Sequence, residues 1–458
     1  MKKTLTAMGV MGLVLQANDA LARELDDRGD DGASFTGRPG ENYEGDANAV
    51  RGAGAYDQYI FTTSASGLGS FEEWSAATSG AGLAGMAAAD HICQLEASGA
   101  GLPNAGSYVA WISDSQNDAY CRAHGLYGTK DDDCGASGGL PASAGPWLRT
   151  DNQLFGGDLP GIVEDGEVYR PVDLNALGSP FFFPERVWTG TSADGTSSGF
   201  HCNDWTASTS GTGSDLYLGL TGDTNATVVN WTQDDILACD QAARLTCLST
   251  ASSGMGLPPM APYTSSDRRG FVSSLSGPAR FSEWQLPGGG TPGQMGLSGS
   301  DAADQICRSL ASDAELDRSD DFKALLSDDT TSVYQRFDFQ NRWYRVDHVK
   351  IVENLGNLFE PGEDILTNVA LDEQGLPLVE ITDVWTGMDT QGTSLANTCS
   401  GWTSSSPNQA TSVGSATYAD LRMIFNDVKA CSTPAHLYCF SDIDEISTYS
   451  FQREDFYD

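Results

Sequence analysis

Apolar residues in this chain come in short runs separated by longer stretches of Gly, Ser, Asp and Thr. Tyr59-Ile60-Phe61-Thr62-Thr63 and Tyr108-Val109-Ala110-Trp111-Ile112 have strand propensity, and Phe322-Lys323-Ala324-Leu325-Leu326 is a weaker match to the second. An Ala-rich run from Gly82 to Leu95 sets Leu83, Ala87, Asp90 and Leu95 at loosely helical spacing, with Gly99 available for the C-terminus. The same helix is expected from Leu297 to Leu310. Short, mostly antiparallel strands between polar loops follow each helix. One or two helices, short strands and long loops predict an α+β fold.

The pattern occurs twice. FTTSASGLGSFEEW from Phe61 returns as FVSSLSGPARFSEW from Phe271, with seven of fourteen positions identical and no gap. GLAGMAAADHIC, ending at Cys93, returns as GLSGSDAADQIC, ending at Cys307. VWTGTSADGTSSGFHCNDW (Val187 to Trp205) returns as VWTGMDTQGTSLANTCSGW (Val384 to Trp402), and ACDQAARLTCL around Cys239 and Cys247 returns as ACSTPAHLYCF around Cys431 and Cys439. A period near 200 residues is far longer than the roughly 20 to 50 of a solenoid unit, so a whole domain is duplicated in tandem. The expected domains are 58–250 and 269–442, each long enough to bury a core of its own.

The flanking segments read differently. Lys2 and Lys3, the apolar stretch Leu5 to Leu15 and Ala20-Leu21-Ala22 make 1–22 a signal peptide cut after Ala22. Residues 23–57, rich in Gly, Asp and Arg, are a disordered spacer; 251–268 is a Ser, Gly and Pro linker; 443–458 is an acidic tail. No other stretch approaches the roughly 18 apolar residues of a membrane span, so an exported chain without membrane insertion is expected, secreted or held at the cell surface.

Lys plus Arg number 25 against 63 Asp plus Glu, a formal net charge of −38. Such a surface repels phosphate backbones and anionic lipids, which excludes nucleic acid and leaves cations, neutral glycans and basic proteins as partners. Export also sets the reading of ten cysteines, since an even number at repeated positions in an oxidising compartment means disulfides. Cys93, Cys202, Cys239 and Cys247 match Cys307, Cys399, Cys431 and Cys439, and the spacing alone leaves three pairings open in each repeat. Cys121 and Cys134 occur in the first repeat only and are most simply bonded to each other.

The series of helix cysteine, aromatic strand ending in Ser-Asp, VWTG, mid-domain cysteine before Trp and a closing Cys-x7-Cys resembles the bacterial secreted domains related to endostatin and the C-type lectin fold. That family has no established general function, and its fold hosts sugar binding, adhesion, ice binding and enzymes. The resemblance implies bonds from Cys93 to Cys247, Cys202 to Cys239, Cys307 to Cys439 and Cys399 to Cys431. It also directs attention to the loops after Cys202 and Cys399 as a variable binding face.

The residues decide how far function follows. The Glu-Pro-Asn (or Gln-Pro-Asp) and Trp-Asn-Asp triplets of calcium-dependent lectins are not in place: Asn203-Asp204-Trp205 has another order, and Ser406-Pro407-Asn408 lacks the acid. No cofactor is therefore expected. Calcium stays open as a minor alternative, at a lectin-type site with Asn203 and Asp204 or among Asp114, Asp118, Asp131, Asp132 and Asp133, where a solvated acidic loop is the simpler account. Gly195-Thr196-Ser197-Ser198-Gly199 fits the serine-nucleophile pattern, yet no helix is predicted after it and the other copy reads Gly-Thr-Ser-Leu-Ala. The five histidines share no position between copies, so no enzyme is expected. Arg28-Gly29-Asp30 in the spacer is the integrin tripeptide, and Asn225-Ala226-Thr227 and Asn230-Trp231-Thr232 are glycosylation sequons.

The expectation is recognition or adhesion toward an extracellular glycan or protein. The candidate ligand-binding residues are Asp194, Asn203, Asp204 and Trp205 in the first repeat and Trp402 and Asn408 in the second; the two tryptophans, repeated at fixed distances from cysteines, read first as core packing, with a sugar-stacking face as the minority reading. A structural surface or matrix component is the alternative, and a hydrolase using Ser197 the minor one.

Overall fold

The computed structural model describes residues 58–75, 82–141, 144–181, 183–212, 215–251, 268–337, 342–359, 365–378 and 382–442. The expected signal peptide and spacer with Arg28-Gly29-Asp30, residues 252–267 of the expected linker and the expected tail 443–458 lie outside these residues. In the first repeat the elements are β1 (Tyr59–Thr62), α1 (Gly85–Gly99), β2 (Tyr108–Ala110), α2 (Ala119–Ala123), β3 (Trp147–Arg149), β4 (Leu154–Gly156), α3 (Leu159–Glu164), β5 (Arg186–Trp188), β6 (Gly211–Thr212), β7 (Asp215–Leu216), β8 (Leu218–Asp223), β9 (Asp235–Ala238) and β10 (Arg244–Ser249). The second has β11 (Arg268–Val272), α4 (Gly299–Asp313), β12 (Phe322–Ala324), α5 (Val333–Arg336), β13 (Trp343–Arg345), β14 (Lys350–Val352), β15 (Asp383–Trp385), β16 (Ala410–Ser415), β17 (Asp427–Ala430) and β18 (His436–Ser441).

Each repeat builds one eight-stranded mixed sheet. The first runs β4-β3-β1-β10-β5-β8-β9 with β2 also on β10; the second runs β14-β13-β11-β18-β15-β16-β17 with β12 on β18. The α+β class and the duplication are thus shown element by element. First and last strands lie antiparallel, Phe61 opposite Cys247 and Phe271 opposite Cys439. Strand alternation divides the core: Phe61 and Ile92 pack on the helix side with Trp188 and Trp205, while Ile60 packs behind the sheet with Trp111, Trp147 and Trp231.

The helices start later than expected. Gly85 and Gly299, the first helical residues, hold φ of +55° and +58°, and a Cβ there would lie 3.0 Å from Asp204 O and 2.9 Å from Gly401 O. Only glycine lets the helix begin against that backbone. Small side chains on the buried face, Ala88, Ala89, Cys93 and Ala97, then bring α1 close to the sheet, where Cys93 bonds Cys247. Strand β2 is shorter than expected: Trp111 N still donates to Thr246 O on β10 at 2.8 Å, but Ile112 N turns back to Ala110 O and Ser113 N donates to Thr189 O at 2.9 Å. An unforeseen buried ion pair recurs beside it. Arg122 meets Asp90 and Arg336 meets Asp304, and each carboxylate also accepts a strand amide at 2.9 Å, from Ala110 or Ala324. Such hydrogen bonds are what make a buried charge tolerable.

Five disulfides join Cys93 to Cys247, Cys202 to Cys239, Cys121 to Cys134, Cys307 to Cys439 and Cys399 to Cys431. These are the partners expected above. The two that span 154 and 132 residues fasten helix to closing strand, and in the chain-entropy account each contributes about 4 to 5 kcal/mol. Bonds of this kind are typical of extracellular proteins. None joins one repeat to the other.

The repeats nevertheless form one body. The β8–β9 connection pairs antiparallel with the β16–β17 connection: Ala226 faces Tyr418, Thr227 N donates to Thr417 O at 3.0 Å, and Ala419 N donates to Asn225 O at 2.7 Å. Arg422 donates to both oxygens of Asp223 at 2.7 and 2.9 Å and to Asp420 at 3.0 Å, and it lies 3.7 Å over the Tyr418 ring. The Tyr418 hydroxyl donates to Asp234 at 2.6 Å. Burial beside that carboxylate pushes its pKa far above the usual phenol value. Val228 joins the apolar cluster of the second repeat with Ala416, Ala419 and Met423. In a second strip Thr367 Oγ1 donates to Tyr169 O at 2.6 Å and Arg170 to Leu366 O at 3.4 Å.

Two expectations follow. A protease site placed within 252–267 and cut should leave halves that co-elute on size exclusion, whereas Arg422→Ala should weaken their association at least about tenfold. Halves that separate at micromolar concentration would disprove the union. The second concerns His436, whose Nδ1 lies 2.6 Å from Ser273 O and whose pKa burial holds below the usual imidazole value. The unfolded chain takes up a proton near pH 6.5 that the folded one refuses, so stability is full above that pH and falls as pH drops through it. His436→Asn keeps a donor toward Ser273 and should flatten the fall in urea midpoint between about pH 7 and 5.5, by at most about 1.4 kcal/mol per pH unit. Equal slopes would refute it.

Candidate ligand-binding turns

In both repeats the mid-domain cysteine and the tryptophan after it are joined by one turn of left-handed helix. Cys202, Asn203, Asp204 and Trp205 have φ of 50°, 54°, 54° and 61°, and Cys399, Ser400, Gly401 and Trp402 have 55°, 57°, 62° and 62°. Trp205 N donates to His201 O and Trp402 N to Thr398 O, both at 2.8 Å, the helical spacing in the opposite hand. For an L residue this hand costs about 1 to 2 kcal/mol. Such a turn persists only where its surroundings over-determine it.

Three sets of contacts do so. The cysteine is bonded to the residue that follows the edge strand β9 or β17, Cys239 or Cys431. The tryptophan is enclosed: Trp205 stacks on Phe71 at 5.0 Å and donates its indole N–H to Ser113 O at 2.9 Å, as Trp402 does with Phe281 at 5.1 Å and Ser327 O at 2.8 Å. The third contact clamps the turn to the Ser-Asp loop that follows β2 or β12, and its polarity is reversed between copies. In the first repeat Asp204 on the turn accepts from Ser115 N at 2.9 Å and Ser115 Oγ at 3.0 Å. In the second the carboxylate is Asp329 on the loop, which accepts from Thr398 N at 2.9 Å and Thr398 Oγ1 at 2.5 Å.

This geometry corrects part of the expected site. Trp205 and Trp402 are both 0 % exposed and present no ring face to a sugar. Their hydrogen-bonding indoles belong to the core, as repeated tryptophans at fixed distances from cysteines usually do. Asp204 is half-buried in the clamp, and its backbone N–H donates to His201 Nδ1 at 2.9 Å. Asn203 is exposed, with Nδ2 donating to Thr206 Oγ1 at 3.0 Å. Asp194 lies elsewhere, on the turn between bridge partners Thr191 and Ser197, where it accepts from Thr196 N at 3.0 Å. Asn408 is exposed beside Gln409, whose Nε2 donates to Ser400 Oγ at 2.9 Å. The six candidates therefore divide into two core residues, one clamp and three outward-facing groups at separate places.

The loops after Cys202 and Cys399 also divide. Apart from the buried Trp205, Ala207 and Trp402, residues 203–212 and 400–409 stay at the surface, whereas Ala226, Thr227, Asn230 and Thr417 are buried where the repeats meet. The second sequon falls there: Asn230 is 0 % exposed, with its amide on Asp234 at 2.8 Å, and cannot carry a glycan in the folded chain. Among the acidic residues, Asp114 accepts the amides of Gln116 and Asn117 at 2.8 Å, and Asp118 those of Lys130 and Ser197 at 2.7 Å. Asp131, Asp132 and Asp133 are exposed in the loop closed by Cys121–Cys134. Among the described residues no three His, Cys, Asp or Glu side chains converge as metal ligands, and no helix is long and apolar enough to cross a membrane. Ser197 sits on a bridge-closed turn, not a strand-to-helix elbow, and its amide is held by Asp118.

The clamp went unrecognised in the sequence, although Ser-Asp after the aromatic strand in both copies marked its loop. No protein-family model and no curated protein matches the chain.

Gly401 isolates the cost of the left hand, because the nearest atom to an added Cβ is 4.0 Å away while φ is +62°. Gly401→Ala should lose about 1 kcal/mol by urea unfolding from backbone handedness alone, and Asp329→Ala about 1 to 2 kcal/mol from the stranded donors. An unchanged midpoint in Gly401→Ala would contradict the left-handed turn.

Proposed function

We propose that this protein is an exported recognition or adhesion protein, with two C-type-lectin-like domains that bind an extracellular glycan or protein through the surface loops after the mid-domain cysteines. The observation that carries the reading is the pair of clamped turns. Each domain spends strained backbone, a disulfide and a carboxylate clamp to hold a short polar loop rigid, yet the outward residues differ: Asn203 and Thr206 in one, Ser400, Thr403 and Asn408 in the other. A rigid frame with varied tips suits recognition, since pre-ordered loops lose little entropy on binding. The binding groups are Asn203, Thr206, Ser400 and Asn408, with the buried tryptophans as supports. The acidic surface favours neutral glycans or basic protein patches and disfavours polyanions.

The test is a glycan and extracellular-matrix array probed with residues 23–458, in calcium and in chelator. Binding that survives chelator and drops about tenfold or more in Asn203→Ala/Thr206→Ala or Ser400→Ala/Asn408→Ala, with unfolding unchanged, is the expected result. Silence on every spot, or binding indifferent to all four residues, would overturn this reading in favour of a structural surface component.

A further inference from the structure

The contacts between the repeats have a symmetry of their own. Asp223 and Ser415 hold the same place, each ending its strand opposite the first residue of the neighbouring one, Arg186 or Asp383. Counting on, Asn225 corresponds to Thr417, Ala226 to Tyr418 and Thr227 to Ala419. The observed pairs are Asn225 with Ala419, Ala226 with Tyr418 and Thr227 with Thr417, so the central position meets its own counterpart and the two flanking positions each meet the other's, as a two-fold axis requires. The second strip obeys the same rule. Leu174 and Leu371 hold equivalent bridges to Pro180 and Pro377, which makes Arg170 the counterpart of Thr367 and Tyr169 that of Leu366. The side chain of Arg170 donates to Leu366 O, and that of Thr367 donates to Tyr169 O. This is an isologous interface, the kind that joins two copies of one subunit.

The side chains break the symmetry. On one side Arg422 and Tyr418 meet Asp223 and Asp234 of the other, whereas their own counterparts are Asn230 and Ala226. Pairing two first repeats would face Ala226 with Ala226 and leave Asp223 without its guanidinium. Pairing two second repeats would crowd Tyr418 against Tyr418 and give Arg422 no Asp223. The backbone accepts any pairing, and the charges select first with second.

We propose that this face is a docking surface for a second copy of the chain: the first repeat of one molecule takes the second repeat of another, and the reverse, giving a reciprocal dimer that keeps both interfaces. No disulfide joins the repeats, so only the connection 252–267 biases them toward their own partner. A connection of this length gives an effective concentration of order mM. Below it the chain closes on itself; near it, as in a matrix or on a crowded surface, exchange yields dimers with twice the loops.

Full-length Asp223→Arg and full-length Arg422→Asp test this by inverting the preference. Alone, each puts like charges inside its own union and in any pairing with itself. Mixed in equal amounts, they restore an opposite pair at both interfaces of a reciprocal dimer. Light scattering after size exclusion should find a mixed species of twice the chain mass, about tenfold or more in excess of either variant's self-dimer. In parallel, tagged and untagged wild type held at about 1 mM should exchange into mixed dimers that do not form at about 10 µM. Ala226→Cys/Tyr418→Cys, at a pair whose flanking hydrogen bonds leave the Cβ atoms close, should abolish that exchange once oxidised. Mixed variants that stay single-chain in mass while retaining five disulfides, wild type that does not exchange at 1 mM, or an oxidised lock that exchanges as freely would each overturn the proposal. The readout is mass and does not depend on any ligand.

Discussion

Four consecutive residues carry the constraint on which each repeat depends: a cysteine and a tryptophan must both reach the core from one turn of chain. Residues three apart lie on the same face of a helical turn, so Cys202 and Trp205 point inward together and Asn203 and Asp204 point outward. The sulfur ties the turn to the end of β9, and the indole fills the space between Phe71 and Trp188. Much else is shaped around that delivery. Gly190 holds φ +58° where a Cβ would lie 2.7 Å from the Trp205 ring, and Gly85 starts the helix where only hydrogen fits against Asp204 O. The handedness costs energy at each residue, and the disulfide, the buried ring and the clamp supply more than it removes.

The reversed clamp shows which part of this arrangement is a physical requirement. Both copies need a carboxylate between the turn and the Ser-Asp loop, but neither needs it on a given side. Asp204 with Ser115 and Asp329 with Thr398 are the same bond drawn in opposite directions. That reversal hides the feature from a comparison of the two copies, because Asp204 aligns with Gly401 and Ser115 with Asp329. Position by position nothing is shared, although the interaction is.

What could be read from the sequence follows the same line. Features set by identity at matching positions were legible: the duplication, the α+β class, the cysteine frame, and helices within three residues of their observed starts. Features set by conformation were not. A left-handed turn over Cys-Asn-Asp-Trp has no residue signature beyond Gly401 in the other copy, so the sequence leaves a sugar-stacking role for Trp205 open beside the core role, and the fully buried ring has the core one. The union of the repeats was equally hidden. Its residues, Asp223, Ala226 and Asn230 against Tyr418 and Arg422, lie in loops whose Thr, Asn and Asp content reads as surface.

That misreading has a physical cause with consequences for how the protein works. A loop rich in hydrogen-bonding side chains serves a wet ligand-binding tip and a polar protein interface equally well, and composition cannot separate the two. Here one stretch of chain supplies both an outward loop and such an interface. Residues nearest the mid-domain cysteine stay outward on the clamped turn, and those beyond β8 and β16 are turned inward against the sister repeat. The division leaves each outward tip mounted on a body held by its neighbour as well as by its own disulfides. In the proposed recognition role, two different tips on one such body would keep a fixed separation, so their combined affinity would depend on a ligand whose spacing matches, and a single weak contact at either tip would gain little from the other.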